Sequence, residues 1–248
     1  MIDLHAVEIE INHTCNRSCT YCPNSILDRR TKGSMNIALF QLIIDRLNEV
    51  NFTGRISFHL YNEPLLHPKL KDFVEITKFK LPKSTIHLYS NGTLLTTSLF
   101  SSLQQAGVDK FIITRHEKDI ESPKYVFENT WKNLSDLEKA RVEYKSFDKI
   151  HFVNRGGLLS NLGSEGLHLH PCHLPTHMLS ITVDGRVLSC FEDFNENLVF
   201  GDLKEQTLLE IWNSPAYSNF RRQLKVGMRH HFKTCNGCNR RESLPPFV

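Results

Sequence analysis

The stretch Cys15-Asn16-Arg17-Ser18-Cys19-Thr20-Tyr21-Cys22 carries three thiols in a Cys-x3-Cys-x2-Cys spacing. An odd set of thiols this close together leaves one sulfur over, so it is not a disulfide framework. It is also one ligand short of a closed zinc site, which takes four. Three thiolates on one short loop do suit three corners of a cubane iron–sulfur cluster, with one iron left open. An iron with an open position can bind and activate a ligand as well as pass electrons.

The remaining cysteines, Cys172, Cys190, Cys235 and Cys238, form a second set made of two separated positions and a terminal Cys-x2-Cys. Four thiolates close around one centre, and this spacing suits either zinc or a fully ligated [4Fe–4S] cluster. Three plus four accounts for all seven cysteines. The opening Met1-Ile2-Asp3-Leu4-His5 has neither a basic n-region nor an apolar h-region. A cytoplasmic, reducing setting is therefore expected, with the thiols used for metal or redox chemistry.

Chemistry of this kind needs elements to position it. Val7, Ile9 and Ile11 alternate with Glu8 and Glu10, which predicts a strand over 6–11 that runs into the cysteine loop. Asn36 caps a helix carrying Phe40, Ile43, Ile44 and Leu47 on one face. Further strands are expected over 55–61, 86–89, 110–114 and 149–153. Helices are expected between them, around Leu70 to Thr77, over 97–107 with Gly107 as the stop, and over 125–139. In the 55–61 strand, Ile56, Phe58 and Leu60 should face the helices and Ser57, His59 and Tyr61 the other side.

Strand and helix in this rhythm mean parallel strands with crossover helices. A full eight-stranded barrel takes about 250 residues, so the fold expected over residues 1–157 is an α/β partial, open parallel β/α barrel. Its functional loops should lie at the carboxyl ends of the strands. The cysteine loop, Glu63, Asn91 and His116 each follow a strand and should converge there. Residues 158–248 should form a small second domain. A loop over 158–177 is followed by a β-hairpin, 178–183 and 186–190, turned by Asp184-Gly185, and by short helices over 208–212 and 217–225. This segment is too small for a large core of its own and should need a metal staple.

At the strand ends, Glu63 of Tyr61-Asn62-Glu63-Pro64 can accept hydrogen bonds from an ammonium group, although a Glu in a turn is often simply solvated. Asn91-Gly92 by itself reads as a turn. Arg115 or His116 could supply a cation for a carboxylate.

The cysteine spacing, with Tyr21 just before the third thiol, resembles the signature of the radical S-adenosylmethionine (radical SAM) enzymes. The resemblance implies a [4Fe–4S] cluster on Cys15, Cys19 and Cys22. The amine and carboxylate of S-adenosyl-L-methionine (SAM) chelate its open iron, and cleavage releases a 5′-deoxyadenosyl radical. It places Tyr21, Glu63, Ser90 and Asn91 around SAM, and Arg115, just past the fourth strand, is the cation expected for the SAM carboxylate. Glu63-Pro64 matches the end of a Gly-Gly-Glu-Pro motif that holds the SAM amino group, with Tyr61 and Asn62 where glycines often stand. Ser90-Asn91 looks like a ribose contact. The C-terminal set resembles the auxiliary-cluster twitch domain, which favours a second [4Fe–4S] cluster over zinc.

The runs 15–25, 54–57, 61–66, 154–157 and 190–195 resemble, more closely, the radical SAM dehydrogenases that oxidise cyclitols in aminoglycoside biosynthesis. That resemblance implies oxidation of a secondary alcohol of a cyclitol, aminocyclitol or sugar-like substrate to a ketone. The auxiliary cluster takes the electron, and one SAM is consumed per turnover. It places Arg155, Tyr61, Phe191 and Glu192 at the substrate. Guanidinium stays charged, so Arg155 suits an orienting cation beside a developing alkoxide better than a base. As bare sequence, Arg155 also reads as a turn residue, and Phe191-Glu192 as core packing beside a surface charge.

The expected partners are a small-molecule substrate and an electron donor such as flavodoxin or ferredoxin. A net charge of +3 without a basic stripe argues against nucleic acid. No run of about 18 apolar residues argues for a membrane helix. Three other readings stay open: modification of a peptide, a redox-neutral epimerisation or dehydration, and a zinc- or iron–sulfur-binding interaction module. The chain begins almost at its first strand and lacks room for an N-terminal peptide-binding domain, which favours a small diffusible substrate.

Overall fold

The computed structural model describes residues 2–28, 31–117, 127–163 and 169–241. In chain order the elements are β1 (Ala6–Ile9), α1 (Ile37–Glu49), β2 (Arg55–Ser57), α2 (Leu70–Lys80), β3 (Thr85–Ser90), α3 (Thr97–Ala106) and β4 (Lys110–Thr114). Then come α4 (Phe127–Asn133), α5 (Asp136–Lys139), β5 (Val142–Lys145), α6 (Leu174–His177), β6 (Met178–Ile181), β7 (Arg186–Leu188) and β8 (Val199–Asp202). The chain finishes with α7 (Leu208–Asn213), α8 (Pro215–Lys225) and α9 (Lys233–Gly237).

One sheet runs through the molecule in the order β5-β4-β3-β2-β1-β6-β7-β8. From β5 to β6 every neighbouring pair is parallel; β7 and β8 are added antiparallel. The parallel part is the open β/α barrel that the strand–helix rhythm predicts. Its apolar positions pack against the helices: Val7 and Ile9 of β1, Ile56 of β2 and Phe40, Ile43 and Ile44 of α1 are all fully buried in one core. The Asn36 side chain accepts from the Leu39 amide at 2.8 Å and caps α1, an interaction usually worth about 1 kcal/mol.

The C-terminal segment does not build a separate core. β6 pairs with β1 from Ala6↔Met178 to Ile9↔Ile181, so its apolar face continues that of the barrel. Leu208, Ile211, Tyr217, Phe220 and Leu224 join the same buried cluster as α1 and α2.

Several element boundaries differ from the sequence expectation: β1 stops at Ile9, β6 stops at Ile181, and the expected 158–177 loop ends in α6. The fifth strand is Val142–Lys145, not 149–153. Val142 and Tyr144 pack on the core, while Glu143 pairs with Lys110 at 2.7 Å and Lys145 at 3.0 Å. Residues 147–152 instead lay Phe147 and Phe152 against Tyr21, with ring centroids at 6.1 and 4.8 Å. The strand expected over 55–61 ends at Ser57, because the Asn62 side chain accepts from Leu60 N at 2.9 Å and donates to Phe58 O at 3.1 Å, bending the chain. The expected 125–139 helix is two helices, since Ser135 and Glu138 form a capping box that starts α5; its first residues lie outside the described ones. The second hairpin strand stops at Leu188, and β8, absent from the sequence reading, extends the sheet.

Candidate active site

The loop after β1 folds back on itself. Cys22 N donates to Cys19 O at 2.9 Å, and Pro23 starts a 3-10 turn over Pro23–Ser25. This presents Cys15, Cys19 and Cys22 to one cavity at the carboxyl ends of β1 to β4. Burial pushes the Cys15 thiol up to about 11, and the neighbouring Glu63, Cys22 and Cys19 add to the shift. Three thiols crowded together this way want a cationic partner. That is a fit for a cluster taking three thiolates with one position open.

Glu63 lines the same cavity and is buried. Its carboxylate accepts from Ser90 Oγ at 2.8 Å, Asn91 N at 2.9 Å and Leu65 N at 3.1 Å. Glu63 therefore locks the ends of β2 and β3 together, although burial still pushes its carboxyl upward. Asn62 stands where a glycine was expected and serves the same junction. Its amide donates to Asn12 Oδ1 at 2.8 Å, and Asn12 donates in turn to Thr14 O at 3.1 Å and Glu63 O at 3.3 Å. Asn91 reaches the cysteine loop directly, donating to Asn16 Oδ1 at 2.8 Å.

Of the two cation candidates after β4, His116 joins the cysteine loop, Glu63 and Asn91 at the cavity as expected, and Arg115 does not. Arg115 is buried but is not among the residues that line the cavity. His116 lines the cavity, bonded to the Tyr21 hydroxyl, but burial and then Arg17 push it down to about 4, so it is neutral near pH 7. The cation in the wall beside the thiols is Arg17, ion-paired to Glu117. Its position two residues after Cys15 was the available signal.

Tyr61 and Arg155 line the cavity from the other side. Arg155 has φ 51°, followed by Gly156 at 64° and Gly157 at 88°, three left-handed residues in a row. Asn154 holds this turn: its amide donates to Gly163 O at 3.0 Å and Gly237 O at 2.8 Å, and its backbone N–H donates to Asn239 Oδ1 at 2.9 Å. The turn is thereby fixed against the C-terminal Cys-x2-Cys. Gly237 is needed there, because a Cβ would stand 2.8 Å from Gly156 O.

Cys172, Cys190, Cys235 and Cys238 line a second cavity with Glu192, Arg229 and Arg240. Burial, and for Cys190 and Cys235 the neighbouring thiols, push these groups well up; Cys238 reaches about 11. The loop after Cys190 is organised by buried Asp193, which accepts from Leu198 N at 2.9 Å and Thr234 Oγ1 at 2.8 Å. Four convergent buried thiols fit a closed metal centre.

Glu192 and Phe191 do not line the first cavity; they join it to the second. Glu192 Oε1 accepts from Arg240 at 2.7 Å and 2.9 Å and stands 3.5 Å from Arg155. Burial opposes the charge on Arg155, but Glu192 and the other negative groups around it outweigh burial and hold the guanidinium protonated. The Tyr61 hydroxyl donates to Phe191 O at 2.6 Å.

Among known proteins, residues 9–150 match the radical SAM superfamily and residues 172–239 match SPASM, an iron–sulfur cluster-binding domain. The S-adenosyl-L-methionine-dependent 2-deoxy-scyllo-inosamine dehydrogenase of Niallia circulans is 37% identical over 233 residues, 94% of this chain and 92% of that one. The crystal structure of BtrN in complex with AdoMet and 2-DOIA superposes with a TM-score of 0.90 at 36% identity, covering 98% of both chains. BtrN in an open conformation gives a TM-score of 0.76 at 32% identity, over 96% of this chain and 92% of that one.

Proposed function

The chain belongs to the radical SAM superfamily, and on that footing we propose that it is a dehydrogenase oxidising a secondary alcohol of a small aminocyclitol to a ketone. The relative and the superposed structure named above act on or hold such a compound and SAM. The observation that carries the reading is the bridge between the two cysteine cavities: Tyr61 and Arg155 on one side, and Phe191, Glu192 and Cys190 on the other.

When bound, SAM on a three-thiolate [4Fe–4S] cluster supplies a 5′-deoxyadenosyl radical, and a four-thiolate [4Fe–4S] cluster supplies an acceptor for one electron. Alcohol to ketone is the loss of a hydrogen atom from carbon, a proton from oxygen and one electron. Arg155 faces the substrate space as a fixed cation, so it stabilises the alkoxide as the proton leaves. Glu192 keeps that cation charged and in place, which excludes Arg155 as the proton acceptor. Tyr61 lies one hydrogen bond and one residue away from Cys190, the short route for the electron.

The reading assigns Tyr21, Glu63, Ser90 and Asn91, which line the first cavity, to SAM, and it takes Arg17 of the same wall, paired with Glu117, in place of Arg115 as the cation nearest the methionine carboxylate. An auxiliary [4Fe–4S] cluster suits the second site better than zinc. Residues 172–239, which hold all four of these thiols, match an iron–sulfur cluster-binding domain. On this reading residues 1–157 serve SAM and residues 158–248 the auxiliary cluster. A cytoplasmic flavodoxin or ferredoxin is the expected electron donor.

The test is anaerobic turnover of the reconstituted enzyme with SAM, a reductant and 2-deoxy-scyllo-inosamine. A ketone formed together with 5′-deoxyadenosine supports the reading; an epimer or a dehydrated product in its place overturns it.

A further inference from the structure

Two guanidinium groups line the auxiliary cavity, and they differ in one respect. Arg240 is neutralised by Glu192 at 2.7 Å. Arg229 is not. It is 2% exposed, and its Nη1 and Nη2 donate only to the backbone carbonyls of Arg240 at 3.1 Å and Pro171 at 3.2 Å. Its Nε is buried with no hydrogen-bond partner. Among the described residues no carboxylate lies within 4.0 Å of it.

A buried guanidinium without a counter-charge is strongly disfavoured. What Arg229 does share its cavity with is the set of four thiols, Cys172, Cys190, Cys235 and Cys238. Its two carbonyl partners belong to the residue before Cys172 and the second residue after Cys238. The ligand segments themselves therefore hold the cation at the cavity wall.

We propose that Arg229 sets the reduction potential of the auxiliary cluster, making it a competent acceptor of the substrate's electron. A cluster on four thiolates gains one unit of negative charge when it takes one electron, and net charge and nearby dipoles govern its potential. A fixed cation in a dry cavity stabilises the more negative, reduced state more than the oxidised one, and salt does not screen it. In the first cavity Arg17 is paired with Glu117, while Arg155 and Arg240 share the single carboxylate of Glu192 on the bridge between the cavities. Arg229 adds a further whole positive charge on the side to which the electron must go. This inference rests on the dehydrogenase reading, in which the substrate carbon gives its hydrogen atom to the 5′-deoxyadenosyl radical, its oxygen loses a proton to water, and the remaining electron passes to the cluster.

The experiment is a redox titration of the auxiliary cluster, followed by electron paramagnetic resonance. It is run in a Cys15→Ala, Cys19→Ala, Cys22→Ala background, so that only this cluster signals. Arg229→Met and Arg229→Gln should make the cluster at least tenfold harder to reduce, about 59 mV lower for one electron. Arg229→Lys, which keeps the charge, should stay within threefold of the parent. An unchanged potential in both neutral variants at full iron content overturns the inference. So does loss of the iron from both, which would make Arg229 a strut between two carbonyls. Failure of the dehydrogenase reading is distinguished separately: the enzyme with all seven cysteines would then give no ketone, whatever the titrations read.

Discussion

The Tyr61 hydroxyl donates to the backbone carbonyl of Phe191 at 2.6 Å, and so joins the turn after β2 to the residue following Cys190. Two segments 130 residues apart, each beside a different set of thiols, are held in register by this bond. The Tyr61 ring also meets Phe194 edge-on, with centroids at 4.8 Å, which fixes the direction of the hydroxyl.

Tyr61→Phe removes that bond and leaves the ring packing. The expected stability loss is about 1 kcal/mol. The larger effect should be on coupling, with more 5′-deoxyadenosine released per ketone formed. The ratio of the two products, measured by liquid chromatography, checks it; an unchanged ratio would remove Tyr61 from the electron route.

Glu63→Gln replaces a buried carboxylate that accepts three hydrogen bonds with an amide that has one acceptor oxygen and a misplaced donor. Hydrogen bonds to a charged group are worth about 1.5–3 kcal/mol. SAM should bind at least about tenfold more weakly and the chain should melt earlier. Equilibrium binding of SAM to the reconstituted protein measures the first effect.

Gly237→Ala drives a methyl group into Gly156 O, which lies 2.8 Å from the ideal Cβ position. The turn carrying Arg155 and the loop carrying Cys235 and Cys238 must then separate. The variant should hold about four irons in place of about eight, keeping the first cluster and losing the second. Iron and sulfide counts after reconstitution decide this.

Glu8 gives a pH signature. It is 6% exposed, 3.8 Å from Arg55 and 4.0 Å from His59, which burial keeps neutral. Burial pushes Glu8 up to about 7, against Arg55, Arg240 and Arg155, and Glu192 adds to the rise. The folded chain therefore keeps this proton to higher pH than the unfolded chain does. The contribution is full below the ordinary carboxylate range and is lost as pH rises through about 7. Between about pH 5 and pH 8 the protein should lose on the order of 2 kcal/mol relative to Glu8→Gln, which does not titrate. Anaerobic urea unfolding at several pH values measures the difference; a wild-type stability that rises across this window would contradict it.

Much of this arrangement was legible from local signals. Alternation marked β1, Asn36 marked the start of α1, Gly107 the end of α3, and Asp184-Gly185 the hairpin. All seven cysteines fell into the two sets that the structure brings together. What escaped depends on long-range pairing or on side-chain direction. Nothing near Met178 announces that β6 will lie parallel to β1, so the continuous core was missed. Val142 to Lys145 is too short and too charged to stand out before its pairing with β4 is known. Arg115 and His116 were the cation candidates, and Arg17, which lines the cavity where Arg115 does not, was passed over. Asn154 and Asn239, which lock the Arg155 turn, and Asp193, which orders the loop after Cys190, gave no spacing signal of their own.

The central claim is that oxidation needs the second set of thiols and SAM cleavage does not. The direct measurement is product stoichiometry on the reconstituted wild type and on Cys190→Ala, with SAM and an aminocyclitol. The account predicts one ketone per 5′-deoxyadenosine in the wild type, and 5′-deoxyadenosine without ketone in the variant. Equal ketone yields from both proteins, or a wild type that holds zinc at the second site and still makes ketone, would contradict it.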